Sequence, residues 1–290
     1  MGSGFPTECV VCAGAIGPGI TPWHFTCRSC GYEGSLLQPV INDKLAHLAV
    51  DEKIREAGLK AIRLENFREV IDLIRSNGNG ATLLDVGAAH GWFLEEAVRH
   101  FDALGLEPDL AVGEKTVSRG LPVRIGYFPD ALTPAERFDV IVFNDVIEHI
   151  PHIGSALRAS ADRLLDNGLL VLSLPNSAGL FYRLARGFAR LGWTGPFARL
   201  WQKDLPSPHV HFFNKDNLTA LVEKSGFQLM SQIELPSVRV KGLAARLRCA
   251  NPRLVSFLIQ YGGTLALFPL TKLFPSDAIV CAYRKRHRPD

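Results

Sequence analysis

No basic segment followed by an apolar one opens this 290-residue chain: MGSGFPTECV reaches a cysteine at residue 9 without either, so no secretory leader is expected. No apolar run reaches the length of a clean membrane span. The longest, LVSFLIQYGGTLALFPL at 254–270, is interrupted by Gln260, Gly262, Gly263 and Pro269. Charge of one sign is also lacking. With 32 Lys and Arg against 29 Asp and Glu, the formal net charge is +3, too small to imply a nucleic-acid partner, and none is expected. Internal repeats and low-complexity tracts are absent. Cysteine is scarce, with six in all, and four of them fall within the first 30 residues while Cys249 and Cys281 stand alone. That distribution fits a metal site in a reducing compartment better than a disulfide framework. A cytoplasmic protein is the expectation, with the 254–270 run leaving peripheral contact with a membrane open. What remains is ordinary globular material, 47% hydrophobic and 21% charged, enough for one large domain and one small one.

Residues 1–40 are rich in Gly, Pro, Cys and aromatics, have no helical period, and read as a small stapled module. Cys9-x-x-Cys12 and Cys27-x-x-Cys30 are separated by fourteen residues. Two such pairs bring four thiolates to one tetrahedral centre, the arrangement of structural zinc. WHFTCRSCGYEG resembles a zinc-ribbon knuckle, with Gly31 permitting the turn after the last ligand and His24 an unneeded further candidate. A redox dithiol is disfavoured, because CxxC occurs twice and no thioredoxin-like βαβ unit surrounds it. With four protein ligands the metal is expected to be structural and to contribute roughly 10–16 kcal/mol to folding so small a module. Beyond stability, the module could dock a substrate carrier or partner, or brace the helical stretch that follows.

That stretch, 41–78, shows apolar residues at three- and four-residue spacing through 43–75 and reads as a helical linker or lid that SNGNG at 76–80 ends. From 79 to 290 strands and helices alternate. Strands are expected at 81–87, 103–108, 121–126, 138–145 and 168–176, helices at 92–101, 109–120, 155–166 and 214–226, and two late strands in FQLMSQIEL and DAIVCAYRK. Continuous apolar strands alternating with helices imply an α/β fold: a doubly wound, Rossmann-like, seven-stranded and mostly parallel sheet covered on both faces.

In such a sheet ligands bind beyond the carboxyl ends of the strands, at the switch point. The first strand ends in Asp85-Val-Gly87-Ala-Ala89-His-Gly91. Gly87 and Gly91 let the backbone turn sharply and approach a ligand. The pattern is GxxxG, and the further glycines of a dinucleotide loop are replaced by Ala89 and Trp92. The next strand ends in Glu107, twenty residues after Gly87, where a carboxylate can accept both hydroxyls of a ribose. Together they favour a nucleoside ligand over a tight turn of no special purpose.

LLDVGAAHGWFLEEA, then GLEPD, FDVIVFNDVIEHIPH and LLDNGLLVLSLPN, resemble in order and spacing the motifs of class I S-adenosylmethionine-dependent methyltransferases. The resemblance covers roughly 60–230, and its nearest branch includes the ubiquinone-biosynthesis O-methyltransferases and many small-molecule and saccharide methyltransferases. It implies that Asp85, Gly87, Ala89 and Gly91 border the methionine end of the cofactor and that Glu107 holds the ribose with Pro108 against the adenine. Asn144 and Asp145 would line the wall toward substrate. Tyr127 and Phe128 follow the third strand, where the family often has an acidic residue near the adenine; here either Asp130 serves instead or stacking and backbone bonds hold the adenine. Glu148 and His149 form the EH pair of that branch, which lies near substrate and in some members helps hold a divalent cation. Methyl transfer is an in-line displacement in which alignment supplies on the order of 7–11 kcal/mol, and an oxygen nucleophile also needs a base near neutral pKa. His149, His209 and His211 are the candidates, with His149, His211 and Glu148 assigned catalytic roles.

GLFYRLARGFARLGWTGPFARLWQK (179–203) and the basic, then apolar stretch at 239–274 fall where lid insertions are expected, at about 177–210 and 237–275. They read as covers for a small-molecule, glycan or lipid-linked acceptor, or as helices packed on the sheet with wet arginines. The expectation is therefore methylation of such an acceptor, at oxygen. A non-catalytic cofactor-binding scaffold that docks partners through the ribbon is the first alternative, and a nicotinamide oxidoreductase, disfavoured by Ala89 and Trp92, the second.

Overall fold

The computed structural model describes residues 5–42, 52–78, 80–236, 243–244, 247 and 254–286. The expected helix at 43–51, most of the second lid at 237–253 and Cys249 lie outside the described residues.

A seven-stranded sheet forms the centre. It comprises β4 (Thr82–Val86), β5 (Asp102–Glu107), β6 (Val123–Ile125), β7 (Phe138–Asn144), β8 (Leu164–Pro175), β10 (Phe227–Leu235) and β11 (Ala278–Lys285). The strand order is β10-β11-β8-β7-β4-β5-β6. The five strands from β8 to β6 run parallel, and β11 is antiparallel to both its neighbours. Both faces of the central strands are buried because these strands alternate two apolar sets. Leu84, Ile141, Phe143, Leu170 and Leu172 face one core; Leu83, Val140, Val142, Leu169 and Val171 face the other. From β4 the chain moves outward to β5 and β6 and then returns to β7 on the other side, so the switch-point crevice lies at the carboxyl ends of β4 and β7.

Helix α1 (Glu52–Asn77) is the helix the periodicity predicts from residue 52 on. Phe67, Val70, Ile71 and Ile74 give it an apolar stripe that packs on the second core, with Phe67 edge-on to Phe93 at 5.5 Å. Asn77 turns its amide back onto the carbonyl of Leu73, closing the helix. The other helices are α2 (Trp92–Ala97), α3 (Leu110–Ser118), α4 (Ile153–Arg163), α5 (Leu180–Arg190), α6 (Gly195–Leu200), α7 (Lys215–Lys224) and α8 (Leu254–Leu267). Asp109 caps α3 by accepting from Val112 N–H at 3.0 Å. Asn214 and Asn217 form a reciprocal capping box at α7.

The N-terminal module folds as β1 (Ile16–Pro18), β2 (His24–Cys27) and β3 (Glu33–Ser35), and its sheet takes a fourth strand from elsewhere. β9 (His211–Phe212) pairs antiparallel with β3, Glu33 opposite Phe212 and Gly34 opposite His211. The expected boundary at residue 40 therefore divides the sequence but not the packing. Cys9, Val11, Phe25, Cys27 and Tyr32 belong to the same apolar core as β7 and β8.

Candidate active site

The β4–α2 turn is built around left-handed backbone. Gly87 has φ +76° and Gly91 φ +72°. A Cβ at Gly87 would stand 2.5 Å from Val146 Cγ2, and one at Gly91 2.5 Å from Leu121 Cδ1, so both positions need glycine for space as well as for φ. Ala89 is left-handed too, at φ +45°, a strained choice for an alanine. Its N–H donates to Glu107 Oε2 at 2.7 Å, while Glu107 Oε1 accepts from Asp109 N–H at 2.8 Å. The carboxylate is thus fixed at the end of β5. Burial raises its pKa, with those two amides opposing and the charge of Asp109 reinforcing.

Asp85 at the end of β4 is 1% exposed, and neither of its carboxylate oxygens has a close hydrogen-bond partner, the Asn144 amide being the nearest polar neighbour to act on it. Burial, opposed by the neighbouring Asn144 amide and reinforced by the charge of Glu107, pushes it up to about 7. Asn144 at the end of β7 is buried with both amide atoms unpartnered. A folded protein does not orphan a carboxylate and an amide side by side without a use for them, and this pair borders the glycine turn at the switch point. Asp145 is left-handed at φ +54° and reaches Arg63 of α1 at 3.1 Å. Tyr127 is half exposed, while Phe128 packs edge-on against Phe143 at 5.6 Å. Pro108 holds the amide of Asn42 on its carbonyl at 2.9 Å, and Asn42 in turn accepts from Leu110 N–H.

One turn beyond Asp145, the 3-10 helix Ile147–His149 presents Glu148 and His149. Glu148 is 1% exposed with both oxygens unpartnered, and its pKa is raised well above the carboxylate range by burial and by the charge of Asp145. His149 Nδ1 lies 2.9 Å from the carbonyl of Pro208, which can only accept, so Nδ1 carries the proton and the basic lone pair sits on Nε2. That Nε2 is 3.9 Å from Glu148 Oε1. His209 completes the cluster: its Nε2 is 4.0 Å from the same oxygen and 2.9 Å from the Gln202 amide, and its ring lies 4.7 Å from that of His149. The ligand atoms of Glu148, His149 and His209 all lie within 4.8 Å of one another. His211 is placed differently from the expectation that it reaches the pocket. Its Nδ1 meets the Tyr32 hydroxyl at 2.5 Å and its Nε2 donates to the carbonyl of Ile150 at 3.0 Å. Burial pushes it down to about 4, so it stays neutral near pH 7.

The four N-terminal cysteines converge, with Cys9 and Cys30 sulfurs 3.6 Å apart, Cys12 and Cys27 3.5 Å apart, and all four within 4.8 Å. A tetrahedral zinc thiolate centre with 2.3 Å bonds has sulfurs about 3.8 Å apart, so the donor set fits. The amides of Val11 and Gly14 point at Cys9 and Cys12 sulfurs, each at 3.4 Å. From this cluster β3 leads directly to the histidines: Ser35 Oγ donates to the carbonyl of His209 at 2.8 Å, and Val210 N–H donates to the carbonyl of Glu148 at 2.9 Å. Buried Glu33 ties the ribbon to α5, accepting from Tyr182 and Arg186.

Four participants had no sequence signal. Arg63, Asn42 and Gln202 are ordinary polar residues in their segments, and Thr116, which donates to the Ala89 carbonyl at 2.8 Å, sits inside a helix. Only the fold brings them to the site.

A methyltransferase domain family matches residues 59–232, more than half of the chain. The chain belongs to that family. Among curated relatives, the ubiquinone biosynthesis O-methyltransferase of Paramagnetospirillum magneticum is 31% identical over 43% of this chain and 53% of its own length. The protein of the same name from Azorhizobium caulinodans is 26% identical over 62% of this chain and 75% of its own. The chain spans only about half to three fifths of the length of the first of these relatives. The fold is shared with an SAM-dependent methyltransferase, a possible histamine N-methyltransferase, from Thermotoga maritima (TM-score 0.54, 15% identity, 81% of this chain and 95% of that one). It is shared as well with a structure of the Haloferax volcanii Trm112 methyltransferase activator with a methyltransferase (TM-score 0.56, 11% identity, 85% and 100%).

Proposed function

We propose that the protein transfers a methyl group from S-adenosylmethionine to an oxygen of a small-molecule, saccharide or lipid-linked acceptor. The observation that carries this reading is the buried pair Asp85 and Asn144, which have no close hydrogen bond to the rest of the protein, beside the strained Gly87–Gly91 turn and the fixed carboxylate of Glu107. In this assignment Glu107 takes the ribose hydroxyls, with Pro108 and Phe128 bounding the adenine. Asp85 faces the cationic methionine end. The bound cofactor supplies an electrophilic methyl on a sulfonium; this chain supplies alignment and a base.

His149 is assigned that base, because the Pro208 carbonyl orients its lone pair to Nε2. Glu148 would hold the acceptor or tune His149, and Asn144 and Asp145 would wall the acceptor off from the cofactor. His211 is assigned a holding role, since both its nitrogens are engaged. The orphaned Glu148 carboxylate supports a second arrangement, in which a divalent cation is held by Glu148, His149 and His209 and fixes the acceptor's oxygen. The cysteines are assigned a structural zinc ion, and the ribbon the task of holding β9, and with it the His209–His211 segment, against the 3-10 turn.

Calorimetry tests the reading. The chain should bind S-adenosylhomocysteine and not NAD, and Glu107→Ala should weaken that binding at least about tenfold, as loss of charge-assisted hydrogen bonds requires. Absence of S-adenosylhomocysteine binding, or an unaffected Glu107→Ala protein, would remove it. Binding without turnover on any acceptor, with the Glu148 cluster dispensable, would favour the scaffold alternative.

A further inference from the structure

The turn that carries Glu148 and His149 is too short to hold itself. Ile147–His149 is a single 3-10 turn, and its C-cap Ile150 is already extended. The segment 208–211 clamps it residue by residue. Val210 N–H donates to the Glu148 carbonyl at 2.9 Å, His149 Nδ1 donates to the Pro208 carbonyl at 2.9 Å, and His211 Nε2 donates to the Ile150 carbonyl at 3.0 Å. That segment is in turn held from the ribbon. β9 is two residues long, and a ladder so short does not fix its own alignment with β3. Ser35 extends it, its N–H donating to the Val210 carbonyl at 3.1 Å and its Oγ to the His209 carbonyl at 2.8 Å. The Tyr32 hydroxyl adds a side-chain bond to His211 Nδ1 at 2.5 Å.

Chemistry assigns the roles around His211. The Ile150 carbonyl can only accept, so Nε2 carries the ring proton and Nδ1 is a bare lone pair. A buried lone pair without a donor is destabilising, and the Tyr32 hydroxyl supplies the donor. The phenol is itself fixed: its ring lies 5.3 Å from that of Phe213, and Cys27 N–H donates to the Tyr32 carbonyl at 2.8 Å. Tyr32 stands two residues after Cys30, the last cysteine of the ribbon. An apolar pair at 32 and 211 would fill the same space without desolvating a hydroxyl and an imidazole. What such a pair would lack is direction.

We propose that Tyr32 and His211 are positioning residues: through the Tyr32 hydroxyl and the His211 ring, the ribbon fixes Ile150 and thereby the tautomer and aim of the neighbouring His149. The His149 lone pair stays on Nε2 only while Nδ1 donates to Pro208, and that bond needs the turn and the 208–211 segment in one alignment. Tyr32 and His211 set the alignment from the two sides of β9 and the turn. The cofactor rim is held separately, Glu107 by the amides of Ala89 and Asp109. The ribbon therefore acts on the acceptor half of the crevice. The inference rests on the reading of His149 as the base, and its test reads His149 itself.

The test is proton–nitrogen spectroscopy of the full chain with 15N-labelled histidine at about pH 8, above the ordinary histidine pKa, where ring-nitrogen shifts report each tautomer. In the parent, His211 should carry its proton on Nε2 and His149 on Nδ1; the opposite tautomer at either overturns the proposal without any variant. Tyr32→Phe and His211→Ala should each lower the ratio of Nδ1–H to Nε2–H at His149 at least about fivefold, as loss of one net hydrogen bond requires. His211→Gln, whose amide can still donate to Ile150, should keep that ratio within about twofold of the parent. Each variant should bind S-adenosylhomocysteine within about threefold of the parent by calorimetry. An unchanged His149 in both Tyr32→Phe and His211→Ala, a His211→Gln protein that behaves as His211→Ala does, or cofactor affinity lost together with the tautomer would each overturn the proposal. If the parent itself fails to bind S-adenosylhomocysteine, the reading of the crevice falls, and the histidine spectra still decide whether Tyr32 and His211 position His149.

Discussion

Replacing Glu33 with glutamine isolates what joins the ribbon to the rest of the molecule. Glu33 is 3% exposed, and its Oε2 accepts from His24 Nε2 and from the Tyr182 hydroxyl, each at 2.8 Å, while Oε1 accepts from Arg186 at 2.9 Å. The tautomer of His24 follows from its other nitrogen, which accepts from Ile20 N–H at 3.0 Å. All three partners therefore donate, and an amide has only one accepting atom. Either orientation of glutamine sets its NH2 against a donor. Arg186 is one third exposed, so its share is small. The buried donors left unpaired set a loss of roughly 2–4 kcal/mol. Urea unfolding at pH 7, read by fluorescence, measures it. Trp23 and Trp201 lie 6.2 and 5.2 Å from His24 and report on this joint directly. The pH dependence has a definite sign. Burial pushes the Glu33 carboxyl up, but the His24 and Tyr182 bonds and the Arg186 charge outweigh it and hold the group below its ordinary range. Its contribution is thus present above the unfolded carboxyl pKa and is lost as pH falls through the lower folded value. The gap between parent and Glu33→Gln should close in acid. A loss under about 0.5 kcal/mol at pH 7, against that 2–4 kcal/mol expectation, or a gap that widens in acid, would refute the reasoning.

Three further outcomes follow from the same geometry. Asp85, pushed up to about 7 by burial, is largely protonated at pH 6, so binding the ligand's ammonium group there should release a proton. Calorimetry of S-adenosylhomocysteine at pH 6 in buffers of different ionisation enthalpy should show that release, and Asp85→Asn should abolish it. Gly87→Ala combines positive φ with a Cβ 2.5 Å from Val146, and should cost about 2–4 kcal/mol in denaturant stability besides weakening the same ligand. The ribbon should carry one zinc ion per chain by elemental analysis. Removing it with a chelator, or by Cys12→Ser, should expose the β3–β9 joint to amide exchange before the central sheet opens.

The parts of the fold written in short-range pattern were legible. The central parallel strands β4, β5, β7 and the second half of β8 are mostly apolar runs bounded by turns, and β10 and β11 fall where FQLMSQIEL and DAIVCAYRK stand. The cofactor rim was readable because Gly87, Gly91 and Glu107 act through fixed local spacing at strand ends. The joint between ribbon and sheet was not. β9 is two residues long and pairs with a strand almost 180 residues earlier, so no periodicity announces it. For the same reason HVHFF offered His209 and His211 only as candidate bases, with no sign of what each would meet. The backbone does place them near each other, but Tyr32 reaches His211 from the ribbon while Glu148 and Gln202 gather around His209. Such contacts depend on which surfaces the whole chain buries, which the local sequence does not encode.

The central claim is that the switch-point crevice holds a nucleoside with an amino acid arm whose ammonium group meets Asp85. A crystal structure of the chain with S-adenosylhomocysteine tests it most directly. Both ribose hydroxyls should lie on the Glu107 carboxylate, the adenine beside Pro108 and Phe128, and the amino acid end against the Gly87–Gly91 turn with Asp85 within reach. A ligand bound elsewhere, or one in the crevice that leaves Glu107 and Asp85 without a contact, would contradict it.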